Sequence, residues 1–167
     1  MSQLVKIYNG ATPTTAVLPK VTTGTAIKTL LQVQADRKFK IVEWGIQFDG
    51  TAAATPIPVE LIETDVAATV TAAVEADLVK YGDPDAEAVA TELGILVGTA
   101  ATGYTASAEG SITATRMFDH QEVAPTNQFL VQYPLGREPL MNHDTFLRIR
   151  TDAATAVNAS CYVLIEI

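Results

Sequence analysis

Two histidines stand beside carboxylates, and they are the first places to look for chemistry. His120 follows Asp119, and His143 precedes Asp144. An imidazole next to a carboxylate is the pairing of a general base, or of a metal ligand held in one tautomer. Catalysis also needs its groups to converge in space, and a metal site needs a third and a fourth ligand at fixed geometry. The spacing supplies neither, so both are read as loop histidines next to strand ends. A cupin-type enzyme would require His120 and His143 to meet at one metal.

Other candidate motifs fall short in the same way. The acidic stretch GDPDAEAVATE (82–92) lacks the ligand spacing of an EF-hand loop and reads as a solvated face. Gly94, Gly98 and Gly103 have neither the Walker lysine nor the dinucleotide spacing. No Gly-x-Ser-x-Gly elbow occurs, and Ser107 and Ser111 have no histidine nearby in sequence. Cys161 is the only cysteine, which excludes a disulfide within the chain and a cysteine-based zinc finger. It lies in an apolar run and reads as a small core residue, consistent with a reducing cytoplasm. The expectation is a protein that is not an enzyme, with no catalytic residue, no metal and no cofactor.

Charge narrows the partners. With 19 acidic and 11 basic residues the net charge is −8. Such a chain repels phosphate backbones and anionic lipid, so neither direct nucleic-acid binding nor membrane binding is expected. Aromatic residues make up 7% of the chain, too few for a nucleic-acid stacking platform. Trp44, Tyr81, Tyr104 and Tyr133 are the candidates for stacking on sugar rings. The opening MSQLVKIYNG has no basic region followed by a long apolar one, so no secretion signal is read there. No run approaches the ~20 apolar residues of a membrane span.

The elements that would position these residues are strands. At 167 residues the chain fits one domain whose core needs no staples. Its central stretch is KFKIVEWGIQFDG (38–50), a long strand closing in an Asp49-Gly50 turn. Alternation puts Lys40, Val42, Trp44, Ile46 and Phe48 on one face, assigned to the core. Phe39, Ile41, Glu43, Gly45 and Gln47 fall on the other. The strand from Thr25 to Gln34 precedes it across Asp36-Arg37, and the two are expected to form an antiparallel hairpin.

Leu4 to Tyr8 reads as an edge strand or arm, and residues 11–24 as an extended connection rich in Thr and Pro. That gives residues 1–24 as an extended N-terminal arm, free or clamped on a neighbour, and 25–167 as a single β-sandwich domain. Later strands are read over Val59–Thr64, Thr69–Val74, Ile95–Ala108, Ile112–Met117, Asn127–Tyr133, Thr145–Arg150 and Ala159–Ile167. The last, ending in an apolar run, is expected to be central. Asp83-Pro84 and Gly94 carry the start and stop signals of a short helix, with an ordered surface loop as the alternative. Eight or nine strands with at most one short helix predict an all-β sandwich, jelly-roll-like ahead of immunoglobulin-like.

Five blocks carry a resemblance: KIVEWGIQFDG (40–50), PVELIETDVAATVTA (58–72), GTAATGYTASAEGSITATR (98–116), APTNQFLVQYPLGRE (124–138) and FLRIR (146–150). Together they resemble small virion structural proteins of tailed phages of actinobacteria, some of which look like capsid decoration proteins. The likeness is one of whole segments and transfers no functional residue. It implies a β-sandwich on the outer surface of the head, assembled in the host cytoplasm. The implied partner is the major capsid protein, the implied state a homotrimer, and the implied role cementing neighbouring capsomers. The alternative is a carbohydrate-binding or host-recognition module on a phage fibre.

Overall fold

A computed structural model describes residues 2–51, 55–82 and 89–167. Eight strands make the frame: β1 (Leu4–Tyr8), β3 (Lys28–Val33), β4 (Phe39–Asp49), β5 (Ile57–Thr64), β9 (Thr115–Val123), β10 (Gln128–Gln132), β12 (Phe146–Thr151) and β13 (Asn158–Glu166). They lie in two antiparallel sheets. One runs β1-β13-β4-β10 and the other β3-β12-β5-β9. The first frame strand thus pairs with the last, and the second with the seventh. This is the double Greek key of a jelly roll, and it separates the fold from the immunoglobulin order.

Five further strands decorate the frame, giving thirteen among the described residues where eight or nine are expected. β2 (Val21–Thr22) pairs with β13, β7 (Leu78–Lys80) with β1, and β11 (Leu140–Met141) with β4. β6 (Thr69–Ala72) and β8 (Gly103–Ala108) extend the second sheet beyond β3. The helix α1 (Val89–Leu93) has five residues. Gly94 stops it at φ +70, where a side chain would be strained. The predicted Asp83-Pro84 start lies outside the described residues.

The core fills the space between the sheets. β1, β4 and β13 contribute Val5, Ile7, Phe39, Ile41, Trp44, Ile46, Phe48, Cys161, Val163 and Ile165. β3, β5 and β12 contribute Leu31, Val33, Val59, Leu61, Leu147 and Ile149 from the facing sheet. As expected, Trp44 is buried and β13 is an interior strand.

Four local expectations are corrected. First, the core face of β4 changes over along its length. Phe39 and Ile41 are buried while Lys40 is exposed, and from Trp44 onward the even positions turn inward. The cause is a bulge: Glu43 pairs with Leu164 and Ile41 with Ile165, leaving Val42 as an extra residue. One inserted residue moves every later side chain to the other face.

Second, β3 and β4 do not form a hairpin. They belong to opposite sheets, and Ala35 to Lys38 cross between the layers. Each strand has a buried face, and crossing lets both faces meet the same core. Third, Leu4–Tyr8 is neither an edge nor a free arm. β1 sits between β13 and β7, with Val5 and Ile7 fully buried. Residues 11–20 contain no strand, as the Thr/Pro composition suggests. Fourth, the strand read over Ile112–Met117 is β9, displaced to Thr115–Val123, which carries His120 into a strand interior.

Part of the outer face of the second sheet is covered as well. The connection from β5 to β9 folds back over it and forms a small second cluster of Ala68, Val70 and Ala106. Beneath it lies Arg148, fully buried. Its Nη1 donates to the carbonyl of Glu109 (3.0 Å) and to Glu109 Oε2 (3.1 Å), and its Nη2 donates to the carbonyl of Val66. Glu109 also accepts from the amide of Thr29 (2.6 Å). Gln32 does the same work with an amide: Nε2 donates to the carbonyl of Ala101 (2.6 Å) and Oε1 accepts from the amide of Ala68 (2.8 Å). Partners of this kind make buried polar groups tolerable, and of the Arg148 guanidinium only Nε is left without one.

Candidate functional site

The two histidines do not converge. His120 lies within β9, opposite Glu60 on β5. Its Nδ1 is 3.8 Å from Glu60 and its Nε2 is 3.5 Å from Glu122. Asp119, its sequence neighbour, serves a different group: it accepts from Trp44 Nε1 (3.3 Å) and Gln121 Nε2 (2.8 Å). Adjacent strand residues point to opposite faces, so sequence adjacency separates this pair. His143 occupies the exposed turn after β11, with Nδ1 2.6 Å from Asp144. Among the described residues no three His, Cys, Asp or Glu side chains gather as metal ligands would.

Nor do the other nucleophile candidates find activating partners. Cys161 is fully enclosed, and burial pushes its thiol well above the usual range. Ser107 Oγ donates to the carbonyl of Thr69 on the neighbouring strand.

The described acids of the middle region work as structural ties. Asp77 is buried and accepts from the amides of Thr12 (2.7 Å) and Val74 (2.9 Å), pinning the N-terminal connection to the 3₁₀ turn Glu75–Asp77. Glu75 accepts from the amide of Ala90 at α1 (2.7 Å). Glu92 pairs with Lys80 at 3.3 Å. Glu63, nearly buried, holds Arg116 Nε (2.6 Å) and Thr145 Oγ1 (2.6 Å), which ties β9 to the start of β12. Asp65 accepts from the hydroxyl and amide of Thr113 and from the amide of Ala114. Those donors, the Thr113 hydroxyl first, hold its carboxyl down at about 2.

The surface features lie elsewhere, on the outer face of the β1-β13-β4-β10 sheet. Tyr162 of β13 and Tyr8 of β1 pack with ring centroids 5.7 Å apart. The ring of Tyr162 leans across β4 at Gly45, where a Cβ would come within 2.9 Å of it. Lys6 Nζ stands 3.8 Å over the same ring, and the Tyr162 hydroxyl donates to Glu43. Burial first, then the Glu43 carboxylate, raises the Tyr162 hydroxyl far above its usual pKa. Beside this pair lies a cleft of about 150 Å³ lined by Tyr8, Gly45, Gln47, Gln128, Leu130 and Tyr162.

The four aromatics that the sequence offers for sugar stacking lie elsewhere. Trp44 is inside the core against Phe129, Tyr104 and Tyr133 are half-buried, and only Tyr81 is well exposed. Tyr8 and Tyr162 were legible only as the outward members of their strands. Gly45 opposite Tyr162 is the signal that joins them, and it needs the strand register to be read.

Several apolar side chains on and around β9, β10 and β11 face solvent. Met117 on β9, Leu130 on β10 and Leu140 on β11 are each about half exposed, and Leu135 in the turn between β10 and β11 is 93% exposed. Compared with family models, with curated proteins and with solved structures, the chain matches none.

Proposed function

We propose that the protein is a capsid decoration (cement) protein of a tailed phage, bound to the outer surface of the head through the major capsid protein. The observation that carries the reading is the eight-strand connectivity, since the double-sheet jelly roll is an architecture of viral shell proteins. A fold hosts many functions, and the resemblance of the five segments to phage virion proteins is what favours this one. Exposed apolar side chains such as Leu135 and Leu140 supply surface of the kind that protein contacts use. The net charge of −8 suits the outside of a shell better than contact with the packaged genome. The homotrimer belongs to this reading through the resemblance alone.

The test is co-sedimentation of purified protein with heads that lack it. Saturable binding, together with a higher rupture temperature of decorated heads, is the expected result. Protein that stays in the supernatant at micromolar concentration would end the proposal.

A second reading, a glycan-binding module, draws on the Tyr8–Tyr162 cleft. Its rings stand beside the amides of Gln47 and Gln128, and an aromatic platform flanked by amides is suited to sugar rings. Jelly rolls also occur in lectins. Glycan-array binding that Tyr162→Ala abolishes would favour this reading over the first.

A further inference from the structure

The free edge of β10 has the pattern of a strand that pairs with itself. β10 is the outer strand of its sheet, hydrogen-bonded to β4 on one side only. Phe48 N donates to the carbonyl of Asn127 and Tyr133 N donates to the carbonyl of Val42. The odd-numbered residues 127–133 therefore direct their backbone groups at β4. Gln128, Leu130 and Gln132 direct theirs outward. Among the described residues no other part of the chain takes up those outward groups.

Exposed edges invite pairing with another chain, and proteins usually guard them with charges, bulges, prolines or short strands. The other three edges here are guarded. β9 carries Arg116, Asp119, His120 and Glu122 and a bulge at Phe118. β6 has four residues and β7 three, with Lys80 at its end. β10, with the sequence QFLVQ, has no charge, no proline and no bulge.

Its order is also symmetric about Leu130. A two-fold axis through that residue sets Gln128 against Gln132 of the second copy, Phe129 against Val131, and Leu130 against Leu130. In this register the outward residues fall into hydrogen-bonded pairs, each exchanging both backbone bonds. Pro134, which has no amide hydrogen, ends the ladder just beyond it. The two half-exposed Leu130 side chains meet on one face, and the Gln amides meet on either side. For a chain of charge −8, an uncharged edge is where a second copy approaches with least repulsion.

We propose that two copies of this chain pair antiparallel through β10, centred on Leu130, and so join their β1-β13-β4-β10 sheets into one. The contact is two-fold, in contrast to the three-fold state that the resemblance implies, and it does not rest on the head-binding reading.

The experiment combines mass and cross-linking. Light scattering at 100 µM is expected to give twice the 17.8 kDa of one chain. Leu130→Lys, which sets two ammonium groups face to face, is expected to return the single-chain mass with an unchanged circular dichroism spectrum and a still cooperative melt. Under mild oxidant Leu130→Cys is expected to cross-link copies to completion, because directly paired positions fit a disulfide. Gln128→Cys alone, whose partner is Gln132, is expected to stay single. Gln128→Cys mixed with Gln132→Cys is expected to link.

A single-chain mass for the unaltered protein overturns the proposal. So does an oligomer, trimer included, that Leu130→Lys leaves intact, and so does Gln128→Cys linking as fast as Leu130→Cys. Head co-sedimentation of Leu130→Lys, run in parallel, separates the fate of this contact from that of the proposed function.

Discussion

Trp44 is the largest side chain enclosed by the sandwich, and its indole has two jobs. The ring packs on Phe129 at a centroid distance of 5.3 Å, and Nε1 donates to Asp119 on β9 of the facing sheet. Removing it leaves a cavity and an acceptor without its donor. Trp44→Ala is expected to cost about 3–5 kcal/mol in urea melts, and Trp44→Phe, which keeps most of the volume, distinctly less. Asp65 makes a prediction in pH. Its carboxyl is held at about 2, below the usual 3.8, chiefly by the Thr113 hydroxyl and next by the amide of Ala114. A depressed folded-state pKa stabilises the fold above the unfolded value, and that contribution is lost as pH falls through the folded one. The fully charged tie is therefore present above about pH 4 and disappears toward pH 2. Thermal midpoints of the native protein and of Asp65→Asn are expected to differ at pH 5 and to converge at pH 2.

At the level of elements, β1 carries the clearest consequence. A free arm spanning residues 1–24 would be dispensable. The structure instead inserts Leu4–Tyr8 between β13 and β7, and Asn9 Oδ1 accepts from the amide of Cys161 (2.9 Å) in the interior. Deleting residues 1–10 would open the long edge of β13 and uncover the side against which Val5 and Ile7 pack. The truncated chain is expected to lose its cooperative thermal transition and to aggregate, which melts followed by light scattering would show. What the sequence made legible follows from the same physics. Period-two alternation identified β13 and the buried Cys161, because nothing interrupts the core-facing positions from Ala159 to Ile165. On β4 the alternation was present, but the Val42 bulge reversed its meaning for Lys40 and Phe39, and a bulge leaves no mark in composition. Nothing in the local sequence of β12 marks Arg148 as buried. Its burial depends on Glu109 and Val66, far away in sequence, closing over it. The tyrosine cleft escaped notice for the same reason: Tyr8 and Tyr162 become neighbours only once the first frame strand pairs with the last.

For the whole molecule, that pairing of first and last strands sets both folding and connectivity. Gln3 and Ile167 exchange backbone hydrogen bonds of 2.8 and 3.0 Å, so the two ends of the frame lie side by side and antiparallel. The β1-β13 ladder cannot form until the last strand is available, and topologies dominated by such distant contacts fold slowly, on the millisecond-to-second scale. The fold itself does not need the break in the chain to fall there. Joining residue 167 to residue 2 through a short glycine-rich linker turns the β1-β13 pair into a hairpin. Opening the chain between Leu135 and Gly136 uses an exposed turn between β10 and β11, where Gly136 has φ +83 and adds nothing to the core. Termini that lie close together at the surface make such permutation tolerable. The permuted chain is expected to keep the native circular dichroism spectrum and a cooperative melt. It should also refold faster, since its most distant ladder has become local. A permutant that melts without cooperativity would mean that the order in which the strands emerge, and not their final pairing alone, specifies this jelly roll. Unchanged refolding kinetics would show that the β1-β13 ladder forms after the rate-limiting step.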